Sequence, residues 1–199
     1  ANSIKVADIL NLANKAAGIV VGKIGTTTIN KDDLFKCKNN KFSNKITSLS
    51  NLLRMIDADK KKGLSIGFTN GCFDILHRGH LTYLASARQR GDLLFVGLNS
   101  DASVSRLKGP ERPINSELDR KFFLESLRFV DFVEIFDEET PLELIKLVKP
   151  DILVKGGDWS KEQIVGSSFV LSYGGEVESL TFVQGHSTTK LIQDLQGRQ

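Results

Sequence analysis

Residues 69–80 have the sequence TNGCFDILHRGH, and they follow the apolar run LSIGF at positions 64–68. This order predicts a buried strand, a glycine turn and the start of a helix. Helical spacing from His77 to His80 places both imidazoles on one face, one turn apart. The free N–H groups at a helix N-terminus favour an anion, and Gly79 lets a ligand approach the backbone because it has no Cβ. The stretch therefore predicts a phosphate-binding site.

The composition of the chain limits the classes of protein to which it can belong. Its 199 residues allow one full domain plus an attachment, and 40% hydrophobic and 26% charged residues are ordinary for a globular protein. A formal charge of +3, with no basic cluster interleaved with aromatics, predicts no nucleic-acid partner. No apolar run approaches the ~20 residues of a membrane-spanning helix, and two distant cysteines, Cys37 and Cys72, indicate a reducing compartment. We therefore expect a cytoplasmic protein without membrane contact.

Residues 1–44 differ in character from the rest and are predicted to form an N-terminal extension. Apolar residues recur at three- and four-residue steps from Val6 to Ile24, which is typical of a helix with one apolar face. Such an apolar face is expected to be buried against another surface. The alternatives are that it packs on the main domain, that it forms a dimer contact, or that it is a remnant of a neighbouring domain. Residues 31–44 are polar without a clear period, so we expect a linker there and the main domain at 45–199.

From Gly63 onwards, after a helix predicted at 46–61, the pattern alternates between strands and helices. Nearly continuous apolar runs predict buried parallel strands at 64–69, 93–99, 132–136, 151–155 and 177–182. Helices are predicted at 78–90, 102–107, 116–127, 141–148, 161–164 with 167–173, and 187–195. This alternation predicts an α/β fold with a doubly wound, Rossmann-like, five-stranded parallel sheet.

Residues with chemical functions collect where the predicted strands end. The carboxyl ends of parallel strands share one edge of a sheet, and ligands bind at that edge. The residues that follow the strands are Thr69, Asn70, Gly71, His77 and His80; Asn99, Asp101, Lys108 and Arg112; Gly156, Asp158 and Trp159; and His186, Ser187 and Thr188. Their convergence predicts a ligand site at this edge.

Several of the polar residues also have a purely structural interpretation. Asp74, Asn99, Asp101 and residues 187–189 are typical helix caps. An acidic group at the end of the second strand is equally well placed for a ribose hydroxyl. Hydroxyls and N–H groups at a helix start also bind phosphate. Both interpretations stay open for these residues.

The remaining candidate residues are likewise interpreted as either structural or functional. Lys108 and Arg112 are compatible with a solvated loop, but two cations beside glycine and proline turns also suit phosphates. Cys72 is interpreted as packing, and Trp159 as the wall or lid of a site. The common alternatives lack support, since no GxGxxG follows the first strand and no GxxxxGK[ST], HExxH, DFG or GxSxG occurs. A dehydrogenase and a P-loop NTPase are therefore not expected.

The order of these blocks resembles a known family. HRGH at 77–80, after TNG at 69–71, resembles the HxGH signature of the nucleotidyltransferase superfamily. Together with LNSD, RLKG, RP, VKGGD and STT further along, it is similar to the adenylyltransferase domain of the bifunctional heptose-phosphate kinase/adenylyltransferase. This resemblance covers about residues 46–196. Residues 13–28 are similar to the last helix of the sugar-kinase domain that precedes the transferase in those proteins.

The resemblance implies a reaction and its partners. ATP and D-glycero-β-D-manno-heptose 1-phosphate would give ADP-heptose and pyrophosphate, for the inner core of lipopolysaccharide. Mg²⁺ is the expected cofactor, held largely by the triphosphate and water rather than by a metal site of the protein. The expected partners are ATP, a sugar 1-phosphate, a second copy of the chain in a homodimer, and a fused sugar-kinase domain in a longer polypeptide.

The resemblance also implies roles for individual residues. His77, His80 and Lys108 are implied to be catalytic, stabilising the phosphates and the departing pyrophosphate, while Arg112 is implied to bind the substrate phosphate. The implied nucleotide-binding residues are Thr69, Asn70, Gly71, Phe73, Gly79, Asn99, Asp101, Gly156, Asp158, Ser187 and Thr188.

One departure separates the chain from related cytidylyltransferases. Those proteins carry an RTEGIST-type block, whereas residues 182–188 here are FVQGHST. The missing arginine argues against carrying over a preference for cytidine. A cytidylyltransferase or another nucleotidyltransferase for a different polyol or sugar phosphate stays open as the alternative, as does a nucleotide-binding module without catalysis.

Overall fold

The structure, a computed structural model, describes residues 48–180. Its strands are β1 Ile66–Gly71, β2 Leu93–Asn99, β3 Phe132–Phe136, β4 Ile152–Gly156 and β5 Glu176–Leu180. Its helices are α1 Leu49–Lys60, α2 Arg78–Arg88, α3 Asp101–Lys108, α4 Glu117–Glu125, α5 Leu142–Val148 and α6 Ser167–Ser172, with a 3-10 turn at Lys161–Gln163. The predicted N-terminal extension, the domain boundary at 44 and the helix at 187–195 lie outside the described residues.

The five strands form one parallel sheet in the order β3-β2-β1-β4-β5. The first strand, β1, lies at the centre of the sheet. The next two strands, β2 and β3, extend the sheet on one side of β1, and β4 and β5 extend it on the other. The switch point therefore lies between β1 and β4, where a doubly wound sheet binds its ligands. The predicted fold class is confirmed.

Apolar side chains cover both faces of the sheet, as parallel strands require. On β2, Phe95 packs with the cluster that includes α1, α5 and α6, whereas Leu94, Val96 and Leu98 pack with the cluster that includes α2 and α4. This alternation follows from the period of two in a strand. Within residues 48–180, no helix is long and apolar enough to span a membrane.

The largest difference from the predicted element boundaries lies in β1. The strand was predicted at 64–69 with a glycine turn after it, but the strand is Ile66–Gly71, and Asn70 and Gly71 pair with Gly97 and Leu98 of β2. The prediction is wrong because the parallel neighbour supplies hydrogen-bond partners that local glycine preference does not reveal. The turn into α2 therefore spans residues 72–77.

Candidate active site

The turn after β1 is built around an aromatic ring. Phe73 has φ +45°, an uncommon conformation for a residue with a side chain, and its ring packs edge-on against the ring of His80 at 5.3 Å between centroids. A Cβ at Gly71 would lie 2.9 Å from Cε2 of Phe73. The absence of a side chain at Gly71 therefore gives the Phe73 ring its place.

The strands β1 and β4 separate at the switch point. They pair only at Gly67 with Ile152 and at Phe68 with Leu153, whereas β1 and β2 stay paired over six residues. Beyond this short pairing, side chains bridge the gap between the strands. The Tyr83 hydroxyl lies 2.5 Å from Oγ1 of Thr69 and donates to the Val154 carbonyl at 3.3 Å.

A second bridge lies further along the two strands. Nζ of Lys155 on β4 donates to Oδ1 of Asn70 on β1 at 3.1 Å. These two sets of contacts span the crevice that separates the strand ends. This geometry places polar side chains at the position where a doubly wound sheet receives its ligand.

The two histidines stack, as their sequence spacing predicts. His77 caps α2, its Nδ1 accepting from the backbone N–H of His80 at 3.4 Å, and the ring centroids are 3.8 Å apart. Burial, followed by the neighbouring His77, lowers the pKa of His80 to about 4. His80 is therefore a neutral imidazole in this structure, and it can offer a ligand an N–H donor rather than a full charge.

A cavity of about 210 Å³ lies beside these histidines. Its walls come from the end of β1, the turn into α2, α2 itself, the loop after α3 and the end of β4. The lining residues are Asn70, Gly71, Cys72, Phe73, Asp74, His80, Tyr83, Lys108, Arg112, Lys155 and Gly156. We call it the phosphate cavity, because an imidazole, two ammonium groups and a guanidinium line it together.

The loop carrying Arg112 is fastened to the turn after β1 by Asp74. Oδ2 of this buried carboxylate accepts from Nε and Nη2 of Arg112 at 2.6 and 2.5 Å. Its Oδ1 accepts from the backbone N–H groups of Ile114 and Asn115 at 2.8 and 3.0 Å. Asp74 is thus neither a helix cap nor a free acid, but the residue that orients Arg112.

Arg120 on α4 is fully buried and joins the loops around the phosphate cavity. Its Nη1 donates to the carbonyls of Cys72 and Asn99 at 2.6 and 2.9 Å, and its Nε donates to the carbonyl of Asn115 at 3.0 Å. Nη2 pairs with Oδ1 of Asp101 at 2.7 Å. One guanidinium therefore links the turn after β1, the end of β2 and the loop of Arg112.

A second cavity of about 200 Å³ shares one wall with the phosphate cavity. It is lined by Asn70, Pro141, Lys155, Trp159, Gln163, Ile164 and Val165, of which Asn70 and Lys155 also line the phosphate cavity. Nε1 of Trp159 donates to the Gly156 carbonyl at 3.1 Å, which holds the indole beside the end of β4. We call this the acceptor cavity, after the role that we propose for it below.

The structure brings many of the predicted site residues together. Asn70, Gly71, Phe73, His80, Lys108, Arg112 and Gly156 line the phosphate cavity, and His77 stacks on His80. Gly79 lies buried in the first turn of α2. These assignments stay predictions for binding and catalysis, but their placement at one strand edge agrees with them.

Other predicted residues lie beside the cavities rather than in their walls. The Thr69 hydroxyl is bound to Tyr83, Nδ2 of Asn99 donates to Oγ of Ser103 at 3.0 Å, and Asp101 pairs with Arg120. Asp158 is exposed after β4. Ser187 and Thr188 lie outside residues 48–180.

The sequence reasoning assigned no role to three residues of the site. Tyr83 and Arg120 lie in the helices predicted at 78–90 and 116–127 but were given no role, and Lys155 was noted only as part of the VKGGD block. For Arg120 a signal existed, since it lies four residues before buried Leu124 and hence on the buried face of α4. For Lys155 the signal was a lysine inside an apolar strand.

Comparisons with known proteins identify the family to which the chain is similar. Residues 68–193 match the family model described as cytidylyltransferase-like. The chain is 48% identical over 201 residues to the bifunctional protein HldE of Syntrophotalea carbinolica, and 50% identical over 192 residues to the HldE of Geobacter metallireducens. These matches cover 100% and 95% of the chain but 41% and 39% of the relatives, so the chain spans about two fifths of their length.

A solved structure is similar as well. The lipopolysaccharide core biosynthesis protein from Thermoplasma volcanium is 28% identical with a TM-score of 0.52, covering 62% of this chain and 100% of that one. The predicted resemblance to the transferase portion of the bifunctional heptose protein is confirmed by the relatives named HldE. With the family model matching well over half of its length, the chain belongs to the cytidylyltransferase-like family of nucleotidyltransferases.

Proposed function

We propose that the chain transfers AMP from ATP to D-glycero-β-D-manno-heptose 1-phosphate, giving ADP-heptose and pyrophosphate. The observation that carries this proposal is the phosphate cavity, where His80, Lys108 and Arg112 converge beside the N-terminus of α2. Neutralising and aligning phosphate oxygens is most of what phosphoryl transfer requires of a protein. The choice of the heptose is supported by the similarity to the proteins named HldE.

In the proposed reaction an oxygen of the acceptor phosphate attacks the α-phosphorus of ATP. A new P–O bond forms, the bond from the α-phosphorus to the oxygen bridging the β-phosphorus breaks, and pyrophosphate leaves with the electron pair. The attacking oxygen is already ionised at neutral pH, so no general base is needed. His80 donates a hydrogen bond to the phosphates, while Lys108 and the Asp74-oriented Arg112 balance their charge.

Mg²⁺ belongs to the proposal as the usual companion of a triphosphate. Among residues 48–180, no group of three histidine, cysteine, aspartate or glutamate side chains is arranged to hold a metal ion. The donor groups of the phosphate cavity are mostly cationic, so the ion would be bound by phosphate oxygens and water. Its contribution would be to neutralise charge on the leaving pyrophosphate.

The acceptor cavity is the proposed place for the sugar. Trp159, Ile164 and Val165 offer an apolar wall for the C–H face of a sugar ring, and Gln163 and Asn70 offer amides to its hydroxyls. Its shared wall with the phosphate cavity would bring the acceptor phosphate towards the α-phosphorus. Because its N–H donates to the Gly156 carbonyl, the Trp159 indole would act as a preformed surface rather than as a mobile lid.

Replacing Trp159 with alanine is expected to raise the KM for heptose 1-phosphate roughly tenfold, the equivalent of about 1.4 kcal/mol. The KM for ATP should stay within about twofold, because the nucleotide phosphates lie in the other cavity. Trp159→Phe keeps an aromatic ring without the N–H, so its KM for heptose 1-phosphate should lie between those of the wild type and Trp159→Ala. Phe122→Ala, at an exposed aromatic on α4, is the matched control. A larger rise in the KM for ATP would place the nucleoside, not the sugar, in the acceptor cavity.

Pyrophosphate release across a grid of nucleotides and phosphates tests the function itself. We expect ATP with the β-anomer of heptose 1-phosphate to give the highest kcat/KM, above CTP, GTP and UTP and above glycerol 3-phosphate and glucose 1-phosphate. Preference for CTP with a polyol phosphate would support the cytidylyltransferase alternative. Binding of ATP without pyrophosphate release from any pair would leave only a nucleotide-binding module.

We further propose that the chain is one part of a longer polypeptide fused to a sugar-kinase domain. The relatives it matches are named as bifunctional proteins, and it spans about two fifths of their length. A kinase acting on the sugar would supply a phosphorylated acceptor to the transferase.

A further inference from the structure

Lys155 is a partly buried lysine that lacks an acidic partner. It is the penultimate residue of β4, and burial lowers the pKa of its ammonium from the usual value. Across residues 48–180 no carboxylate forms an ion pair with it, and its recorded hydrogen bond is to the neutral amide of Asn70 at 3.1 Å. An ammonium largely withdrawn from water without a counter-charge is costly, and residues 48–180 supply no anion for it, which points to an anion from a bound ligand.

The position of Lys155 indicates where that anion comes from. Lys155 and its partner Asn70 are the two residues common to the phosphate cavity and the acceptor cavity. Lys108 and Arg112 line the phosphate cavity alone, and two donor atoms of Arg112 are already engaged by Asp74. Among these three cations, Lys155 alone reaches both cavities.

Resting on the function proposed above, we propose that Lys155 is a catalytic residue that binds the acceptor phosphate where it meets the α-phosphorus of ATP. An ammonium has three donors, and the hydrogen bond to Asn70 uses one of them. The others can contact an oxygen of the acceptor phosphate and an oxygen of the α-phosphate together. Such contact offsets the repulsion between two anions that must approach to bonding distance, and it keeps the attacking oxygen in line.

This role for Lys155 changes neither the bonds nor the protons that are exchanged in the proposed transfer. Lys155 stays protonated throughout, since it neither gives a proton to the leaving pyrophosphate nor takes one from the ionised acceptor. The P–O bond formed and the P–O bond broken are those of the transfer itself. The role of Lys155 is therefore electrostatic and positional.

The test compares Lys155→Met with Lys146→Met, a control that removes the same charge from an exposed lysine paired with Glu143 on α5. For Lys155→Met we expect kcat for pyrophosphate release to fall about 10²–10³-fold and the KM for heptose 1-phosphate to rise, with the KM for ATP changed less than about threefold. Lys155→Arg should recover part of kcat. The control should match the wild type.

Thermal unfolding separates this role from a structural one. Removing a buried cation that lacks an acidic partner should leave Tm unchanged or raise it, so activity and stability should move apart. A fall in Tm that accompanies the loss of activity would overturn the proposal, because Lys155 would then be a tie between β1 and β4. Unchanged kcat and unchanged KM for the sugar phosphate would overturn it as well.

A binding measurement keeps the two proposals distinguishable. Calorimetric titration of heptose 1-phosphate into the wild type and into Lys155→Met requires no turnover. Weaker binding to the variant, in a protein whose wild type releases no pyrophosphate from any pair, would retain Lys155 as the anion site while rejecting the transferase. Equal binding to both, with full transfer by the wild type, would reject Lys155 and retain the transferase.

Discussion

Replacing His80 with alanine is expected to lower kcat for pyrophosphate release by at least about 10²–10³-fold and to leave the fold intact. The expected size is that of removing one preorganised donor from a site where charge develops. His80 lines the phosphate cavity, stacks on His77 at 3.8 Å and contacts the Phe73 ring. Its alanine variant loses the donor and the packing surface together. Steady-state kinetics with circular dichroism on the same samples would measure both.

The low pKa of His80 predicts which substitution restores activity. A ring that titrates at about 4 is neutral at pH 7, so its contribution is an N–H donor. We therefore expect His80→Gln, which keeps a neutral N–H donor, to recover part of the kcat lost in His80→Ala. His80→Lys should not recover it. Near wild-type turnover in His80→Ala, or rescue by lysine alone, would refute this assignment.

Replacing Arg120 with methionine is expected to lower the free energy of unfolding by about 3–5 kcal/mol, the usual result of breaking a buried charge network. Three carbonyl oxygens around the fully buried Arg120 lose their donor, and the partly exposed Asp101 carboxylate loses its cationic partner. Urea unfolding of the purified variant measures the loss. Arg54→Met, at an exposed arginine on α1, should change stability by less than about 0.5 kcal/mol.

Asp101→Asn provides a milder form of the same experiment. The Asp101 side chain is 42% exposed, so its amide variant should fold while weakening the hold on Arg120. If Asp101 acts on the site through Arg120, kcat falls and the KM for ATP changes little. A rise in the KM for ATP alone would instead support the contact with ribose that the sequence predicts. For the Arg120→Met variant itself, a free energy of unfolding within about 1 kcal/mol of the wild-type value would contradict the proposed structural role of Arg120.

The fold was predictable because its signals are local and repeated. Several strands contain a short apolar run, such as 93–96 in β2 and 152–154 in β4, and their alternation with helices leaves a parallel sheet as the simple solution. The HRGH spacing was equally informative, since an imidazole at the cap and another three residues later must lie together. The end of β1 was misplaced because pairing with β2 depends on residues far along the chain.

The parts of the site that escaped prediction depend on long-range contacts. Asp74 orients Arg112 across 38 positions of sequence, and Arg120 reaches Cys72 across 48. No spacing rule connects such residues, so an aspartate near a helix start resembles a cap and a buried arginine resembles a surface charge. Lys155 lies in the site because β1 and β4 separate beyond their two paired positions and its side chain extends into the gap. Only the register of the sheet shows this separation.

The division of the strand edge into two cavities has a consequence for how substrate range can change. Pro141, Trp159, Gln163, Ile164 and Val165 belong to the acceptor cavity alone, while the neutral His80 and the cations Lys108 and Arg112 belong to the phosphate cavity. Substitutions in the first group can accumulate without altering the electrostatics that drive bond exchange. On the proposed assignment of the two cavities, we expect acceptor choice and transfer chemistry to be separable in evolution and in redesign, with Asn70 and Lys155 as the positions where they remain coupled.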